Sequence, residues 1–278
     1  MAVILDGKKL RDKILEELQK KVSKFEVKPS LAVILAGENP ASQIYVNNKQ
    51  KMAERIGITS QIIRFPQNVS EAELLDKIEE LNNDKSVNAI LVQLPLPEQI
   101  SKDKVINKIN PAKDVDGFTP YNFGKLFSGE TPNVYPCTPK GILLLLDEYK
   151  IDLSGKHAVV IGRSNIVGRP VAQMLLDRNA TVTMCHSYTK NLSQITKTAD
   201  IIISAVGKNI IKGEMLKSGC VVVDVGIFKD ASGKLLGDVD FETSSKIASY
   251  ISPVPGGVGP MTIASLMLNT VELFENSL

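Results

Sequence analysis

Soft metal ligands are scarce in this chain of 278 residues: three cysteines and two histidines, all dispersed. Cys137, Cys185 and Cys220 are widely spaced and include no Cys-x-x-Cys pair, so neither a disulfide framework nor a zinc pattern is written into the sequence. Buried thiols are expected instead. His157 and His186 stand outside any His/Cys/carboxylate cluster with ligand spacing, which points to chemistry without a metal or a histidine base. Long apolar runs are also lacking. Residues 142–146 and 201–203 fall far short of the ~18–20 needed to span a bilayer, so no membrane partner is expected. The apolar residues 2–5 give way at once to Asp6, Lys8, Lys9 and Arg11, too soon for a signal peptide's apolar region of about 7–15 residues. A cytoplasmic location is the resulting expectation. Finally, 33 basic residues against 31 acidic ones leave a formal charge of +2, which provides no electrostatic footprint for nucleic acid.

What is present describes a folded α/β protein. Hydrophobic residues make up 43% and charged residues 23%, enough apolar material for a core. At roughly 100–200 residues per domain, the length favours two domains. Segments 31–36, 58–65 and 89–94 read as strands between helical patterns, including 42–56 and a helix opened by the capping box Ser70-Glu71-Ala72-Glu73. Residues 110–140 are crowded with proline and glycine and read as a connection or an active-site loop region. A second series of short β-branched runs follows at 157–161, 180–185, 201–205 and 221–225, in the pattern of a Rossmann-like, doubly wound parallel sheet. The expectation is therefore an N-terminal α/β domain over 1–120 and a nucleotide-binding domain over 139–260, with a cleft between them. An apolar helix within 261–278 is expected to pack back on the first domain.

After the 157–161 strand comes Gly162-Arg163-Ser164-Asn165-Ile166-Val167-Gly168, and then a helical run. Strand, glycine-rich turn and helix are the context of a dinucleotide site, where Gly162 makes the tight turn and the helix start offers N–H groups to a pyrophosphate. The spacing departs from G-x-G-x-x-G, with Ser164 in the middle position, and the motif alone fits a plain strand-to-helix turn equally well. The next strand ends Met184-Cys185-His186-Ser187, without the carboxylate that usually binds the ribose of NAD. Arg163 and Ser187 are then suited to hold a 2′-phosphate, favouring NADP, although a surface arginine and a turn serine read the same way. Gly207 and the run Asp224-Val225-Gly226-Ile227 end two further strands and fit close approach to the nicotinamide half.

Tyr45 and Lys49 lie four residues apart, on one face of a helix. Alone, the pair reads as ordinary helix surface. Gln93-Leu94-Pro95-Leu96-Pro97 ends a strand, and Lys113-Asp114-Val115-Asp116-Gly117-Phe118 sits in the Pro/Gly-rich stretch. Polar groups at strand ends and in loops are where α/β sites are assembled.

Together these segments resemble the bifunctional methylenetetrahydrofolate dehydrogenase/methenyltetrahydrofolate cyclohydrolase family. The resemblance is carried by Pro40-Ala41-Ser42 through Lys49, by the Gln93 and Lys113 segments, by Gly162 to Pro170, and by Pro253-Val254-Pro255-Gly256-Gly257-Val258-Gly259-Pro260-Met261-Thr262. Phe228 and Ser252 are small departures beside the cofactor and substrate loops. The resemblance implies oxidation of a methylene-bridged reduced folate by NADP, followed by hydrolysis of the methenyl cation to formyltetrahydrofolate. Lys49 would be the general acid/base of the hydrolytic step, positioned by Gln93. An amine of reference pKa about 10.4 needs desolvation or nearby positive charge for that role, and the cationic substrate would supply the charge. Tyr45 would stack on the folate rings, Asp116 would accept hydrogen bonds from the pterin, and Pro255, Gly256 and Gly257 would shape the folate loop. Gly162, Arg163, Ser164, Ser187 and Ile227 would bind the cofactor, and the assembly would be a homodimer. Two alternatives stand beside this reading: a two-domain NADP dehydrogenase of another substrate class, such as shikimate, and a non-catalytic NADP-binding protein.

Overall fold

A computed structural model describes residues 1–230 and 232–278. In chain order the first elements are β1 (Val3–Ile4), α1 (Gly7–Val22), β2 (Ser30–Ala36), α2 (Pro40–Ile56), β3 (Thr59–Phe65), α3 (Glu71–Asn83) and β4 (Ala89–Val92). There follow α4 (Lys102–Lys108), α5 (Pro120–Ser128), α6 (Cys137–Glu148), β5 (His157–Ile161), α7 (Gly168–Leu176), β6 (Thr181–Cys185), α8 (Leu192–Thr196) and β7 (Ile201–Ser204). The last are β8 (Val221–Asp224), β9 (Phe228–Lys229), β10 (Leu235–Leu236), α9 (Phe241–Ser244), β11 (Tyr250–Ile251) and α10 (Val258–Asn276). Two compact units result. One comprises Lys13–Cys137 with Ile263–Leu278, the other Met1–Asp12 with Thr138–Thr262.

The first unit is built on a three-stranded parallel sheet of order β3-β2-β4. Its central strand is buried from Leu31 to Ala36, as expected of a parallel strand covered on both faces. Ala32, Ile34 and Ile90 pack with Leu74, Ile78 and Leu81 of α3 and Val105 of α4. The Ser70 capping box forms as expected, with the hydroxyl accepting from Glu73 N and Glu73 reaching back to Ser70 N. Such a cap contributes about 1 kcal/mol.

The second unit carries a six-stranded sheet of order β1-β11-β8-β7-β5-β6, parallel throughout. From β5 the chain places β6 on one side and β7 on the other, so strand order reverses between β5 and β7. A doubly wound sheet binds ligands in the crevice at such a point, outside the carboxyl ends of the strands. Val159, Ile161, Ile202, Val222 and Ile251 form the core beneath it.

Most differences from the sequence reading lie at element ends. The strand read as 89–94 stops at Val92, and the C-terminal helix begins earlier, at Val258. Within the stretch read as a loop region, Thr119 caps a nine-residue helix, α5, that has Pro120 in its first turn and ends on Gly129 with φ 77°. Among the described residues, no helix is long and apolar enough to cross a membrane.

Candidate active site and nucleotide site

Helix α2 starts where Asn39 Oδ1 accepts from the N–H groups of Ala41 and Ser42, with Pro40 in the first turn. It stops at Gly57, whose φ of 84° suits a residue without a Cβ. Ser42, Val46, Ala53 and Ile56 are buried, which fixes the helix rotation and leaves Tyr45 46% exposed and Lys49 partly buried one turn on. In the three-stranded sheet the order reverses at β2, so the carboxyl ends of β2 and β4 flank a switch point. Gln93 stands there, its N–H donating to Ile34 O at 2.9 Å. The Lys49 ammonium donates to Gln93 Oε1 at 3.0 Å, and Gln93 Nε2 donates to Leu94 O at 2.7 Å. Both ends of the glutamine amide are thereby used, so it presents its oxygen to the lysine.

Asp116 belongs to the same unit. Burial pushes its carboxyl above the ordinary range, the positive charge of Lys49 opposes that shift, and Asp114 adds to it. The loop carrying Asp116 is fixed by the buried Asp114, which accepts from Gly117 N at 3.0 Å, Thr119 N at 2.8 Å and Asn122 Nδ2 at 3.0 Å. From α10, Asn269 Nδ2 donates to Val115 O and Tyr135 O at 2.8 and 2.9 Å. Lys113, in the same motif, is an anchor: its ammonium donates to the carbonyls of Leu81 and Asp84 at the end of α3. A small apolar hollow lined by Ile90, Val92, Leu94, Ile109 and Phe118 lies beside Asp114 and Asp116. Lys49, Gln93 and Asp116 thus come together, with Tyr45 a turn away on α2.

In the second unit, Gly162 ends β5 with φ 117°, and a Cβ there would meet Ala205 O at 2.5 Å. A Cβ on Gly168 would meet Gly162 O at 2.1 Å. The turn is therefore packed backbone on backbone at the β5/β7 crevice, which only glycine permits. Ser164 Oγ accepts from Val167 N and Gly168 N at the start of α7. Arg163 is exposed, with its guanidinium 5.7 Å from the centre of the Tyr188 ring, next in sequence to the exposed Ser187. From 186 to 190, beyond β6, the sequence is His-Ser-Tyr-Thr-Lys, without a carboxylate. A glycine-packed crevice, an exposed arginine and serine, and a 186–190 segment without a carboxylate fit a dinucleotide with a 2′-phosphate. Ile227, 43% exposed, ends the β8 loop. In the 253–257 loop, Gly256 has φ 110° and its carbonyl accepts from Lys8 N, while a Cβ on Gly257 would meet Pro253 O at 2.7 Å.

Both stretches match known domain families. Residues 5–116 match the family described as tetrahydrofolate dehydrogenase/cyclohydrolase, catalytic domain, and residues 136–278 its NAD(P)-binding domain. The chain belongs to the tetrahydrofolate dehydrogenase/cyclohydrolase family. It is 55% identical to the bifunctional protein FolD of Ligilactobacillus salivarius, over 100% of this chain and 98% of that one. The crystal structure of the bifunctional enzyme FolD from Campylobacter jejuni matches with a TM-score of 0.98 at 53% identity, covering 100% of both chains. A Trypanosoma brucei family member, solved with NADP cofactor and inhibitor, matches at 0.95 and 38% identity, over 99% of this chain and 98% of that one. A shikimate dehydrogenase from Aquifex aeolicus shares 17% identity at a TM-score of 0.51, a likeness of fold alone.

Several residues that support the candidate sites were not singled out from the sequence. Asp114, Asn122 and Asn269 hold the Asp116 loop from positions up to 154 residues apart, a relation no local spacing reveals. A second set, Asp224 and Asp238, lies under the nucleotide loops. The three cysteines are buried thiols as expected. Burial pushes Cys220 up to about 11, which keeps it protonated.

Proposed function

We propose that the chain oxidises 5,10-methylenetetrahydrofolate with NADP and hydrolyses the resulting methenyl cation to 10-formyltetrahydrofolate, with Lys49 as the proton-transfer group of the second step. The observation that carries this reading is the Lys49–Gln93 hydrogen bond at the β2/β4 switch point, in the same unit as Asp116, whose carboxyl is held above the ordinary range by burial.

In the hydrolytic step Lys49 Nζ, as the uncharged amine, takes a proton from the water that adds to the methenyl carbon, and one proton leaves to solvent by the end of the turnover. As the ring opens, the remaining hydrogen of that water moves to the folate N5, and the same amine is the group that relays it. Gln93 keeps the amine in place without adding a charge that would hold its proton. Asp116 accepts hydrogen bonds from the pterin's ring N–H and amino group, and Tyr45 offers its exposed ring as a stacking face. NADP, when bound, supplies the hydride acceptor of the first step. No protein acid or base is required there, because a substrate ring nitrogen pushes the hydride out, so the residues act by orientation. Gly162 and Ser164 shape the pyrophosphate turn, Arg163 and Ser187 hold the 2′-phosphate, and Ile227 borders the nicotinamide half. Pro255, Gly256 and Gly257 shape the folate loop through their backbone.

The same reading places the protein in the cytoplasm as a homodimer joined through the nucleotide unit, without nucleic-acid or membrane partners. Strand β6 supports that interface, being an edge strand with Met184 exposed. A time course with methylenetetrahydrofolate and NADP, following NADPH and methenyltetrahydrofolate together, tests the coupled activity. NADPH formation with little methenyl accumulation is expected. Stoichiometric methenyl would leave a dehydrogenase only, and no NADPH from NADP or NAD would overturn the oxidative assignment.

A further inference from the structure

Two carboxylates lie beneath the loops that end β7 and β8. Asp238 is 0% exposed and Asp224 3%. Asp238 Oδ2 accepts from Ser204 Oγ at 2.8 Å and Val206 N at 2.7 Å, and its Oδ1 accepts from Lys208 N at 2.8 Å. Asp224 Oδ1 accepts from Gly226 N at 3.0 Å and Asp238 N at 2.9 Å, and its Oδ2 from Val239 N at 2.9 Å. The two are interlocked: a Cβ on Gly226 would fall 1.8 Å from Asp238 Oδ1, and one on Gly237 would fall 2.0 Å from Asp224 Oδ2. Among the described residues neither carboxylate makes a salt bridge.

Burying carboxylates close together without a cation is costly. Backbone N–H groups offset part of that cost but supply no net positive charge. Both carboxylates sit under loops at the carboxyl ends of β7 and β8, where a cation that arrives with the ligand would be drawn toward them. At the carboxyl ends of these strands, in a doubly wound sheet, the cation available is the ring of an oxidised nicotinamide.

We propose that Asp238 and Asp224 are positioning residues for the nicotinamide end of the cofactor: they fix the 205–208 and 225–227 backbone and favour the cationic oxidised ring over the neutral reduced one. The inference rests on the dinucleotide reading of this unit. It sets the direction of the enzyme's preference, since tighter binding of NADP than of NADPH loads the oxidant and releases the product.

The test is a pair of direct binding titrations, NADP and NADPH, on wild-type protein and on Asp238→Asn, with far-UV circular dichroism as the check on folding. The ratio of the two dissociation constants cancels the adenosine and 2′-phosphate contributions, which are common to both. Removing the charge is expected to weaken NADP about fivefold more than NADPH, whereas Ser204→Ala, which keeps the carboxylate, leaves the ratio unchanged. Equal loss for both nucleotides, or no loss, overturns the proposal. Should Asp238→Asn fail to fold, wild-type protein gives the same readout through pH. Asp224 is pushed up to about 6, chiefly by burial and further by Asp238. Among the described residues, Lys234, Asp240 and Glu242 line the cavity wall it shares. Lowering the pH from about 8 to about 5.5 is expected to shift the ratio toward NADPH, and a constant ratio contradicts the proposal. Wild-type protein that binds neither nucleotide instead overturns the dinucleotide reading itself.

Discussion

Lys49 and Gln93, 44 residues apart in sequence, meet through a 3.0 Å hydrogen bond whose direction is fixed because the other end of the glutamine amide is held by Leu94 O. The bond joins helix α2 to the end of β4, so a mobile four-carbon side chain is tied to the rigid edge of a sheet. In the proposed mechanism this tie is what locates a surface-helix lysine for proton transfer.

Replacing Gln93 by Glu puts a carboxylate where the amide oxygen stands, and the resulting ion pair holds the proton on Nζ. Methenyltetrahydrofolate hydrolysis is expected to fall about 10²-fold, with a smaller fall in NADPH formation. Loss of both to the same extent would assign Gln93 to folate binding instead. Absorbance of the methenyl species gives the first rate and that of NADPH the second.

Arg163 follows β5 and Ser187 follows β6, and residues 186–190 contain no carboxylate. Arg163→Ala is expected to raise KM for NADP by roughly 10- to 100-fold, the worth of a charge-assisted hydrogen bond, and to change KM for NAD much less. Equal losses for the two cofactors would show that the guanidinium does not read the phosphate.

Gly162→Ala combines a left-handed backbone with a 2.5 Å approach to Ala205 O. A destabilisation of about 2–3 kcal/mol in urea titration and loss of NADP binding are expected. Gly155, with φ 72° and open space around it, provides the contrast: alanine there costs about 1 kcal/mol. Similar values for the two would mean that the crevice is not packed as described.

Asp224 makes stability depend on pH in a direction opposite to that of most carboxylates. Its folded pKa, about 6, exceeds the ordinary value of 3.8, so between these two the folded state binds a proton that the unfolded state has released. Its contribution to stability therefore falls as pH rises from about 4 to about 6, by on the order of 2 kcal/mol. Unfolding free energies of wild type and Asp224→Asn across that window should differ with this slope. A difference independent of pH would contradict the shift.

The βαβ order, the capping box at Ser70 and the glycine turn after β5 were legible in the sequence because each is local: periodicity, a four-residue cap, a strand–turn–helix. What escaped was long-range. Strand β1 is two residues long and joins the sheet only because β11, some 250 residues later, offers it an edge. Helix α5 lay hidden in a stretch whose prolines and glycines read as loop, though Thr119-Pro120 and Gly129 are its cap signals. For the site, the Tyr45/Lys49 spacing was ambiguous by itself, and the resemblance to a known family supplied its roles. Asp114 and Asp224 stood inside motifs the sequence offered, but their roles did not show there and Asp238 gave no signal at all, because the partners are backbone N–H groups brought close by folding.

The central claim, that Lys49 moves the proton of the hydrolytic step, is met most directly by Lys49→Gln with the two steps measured separately. The account predicts that methenyltetrahydrofolate hydrolysis falls by about 10²–10⁴ and that NADPH formation falls by a smaller factor. Hydrolysis at the wild-type rate would remove Lys49 from the mechanism.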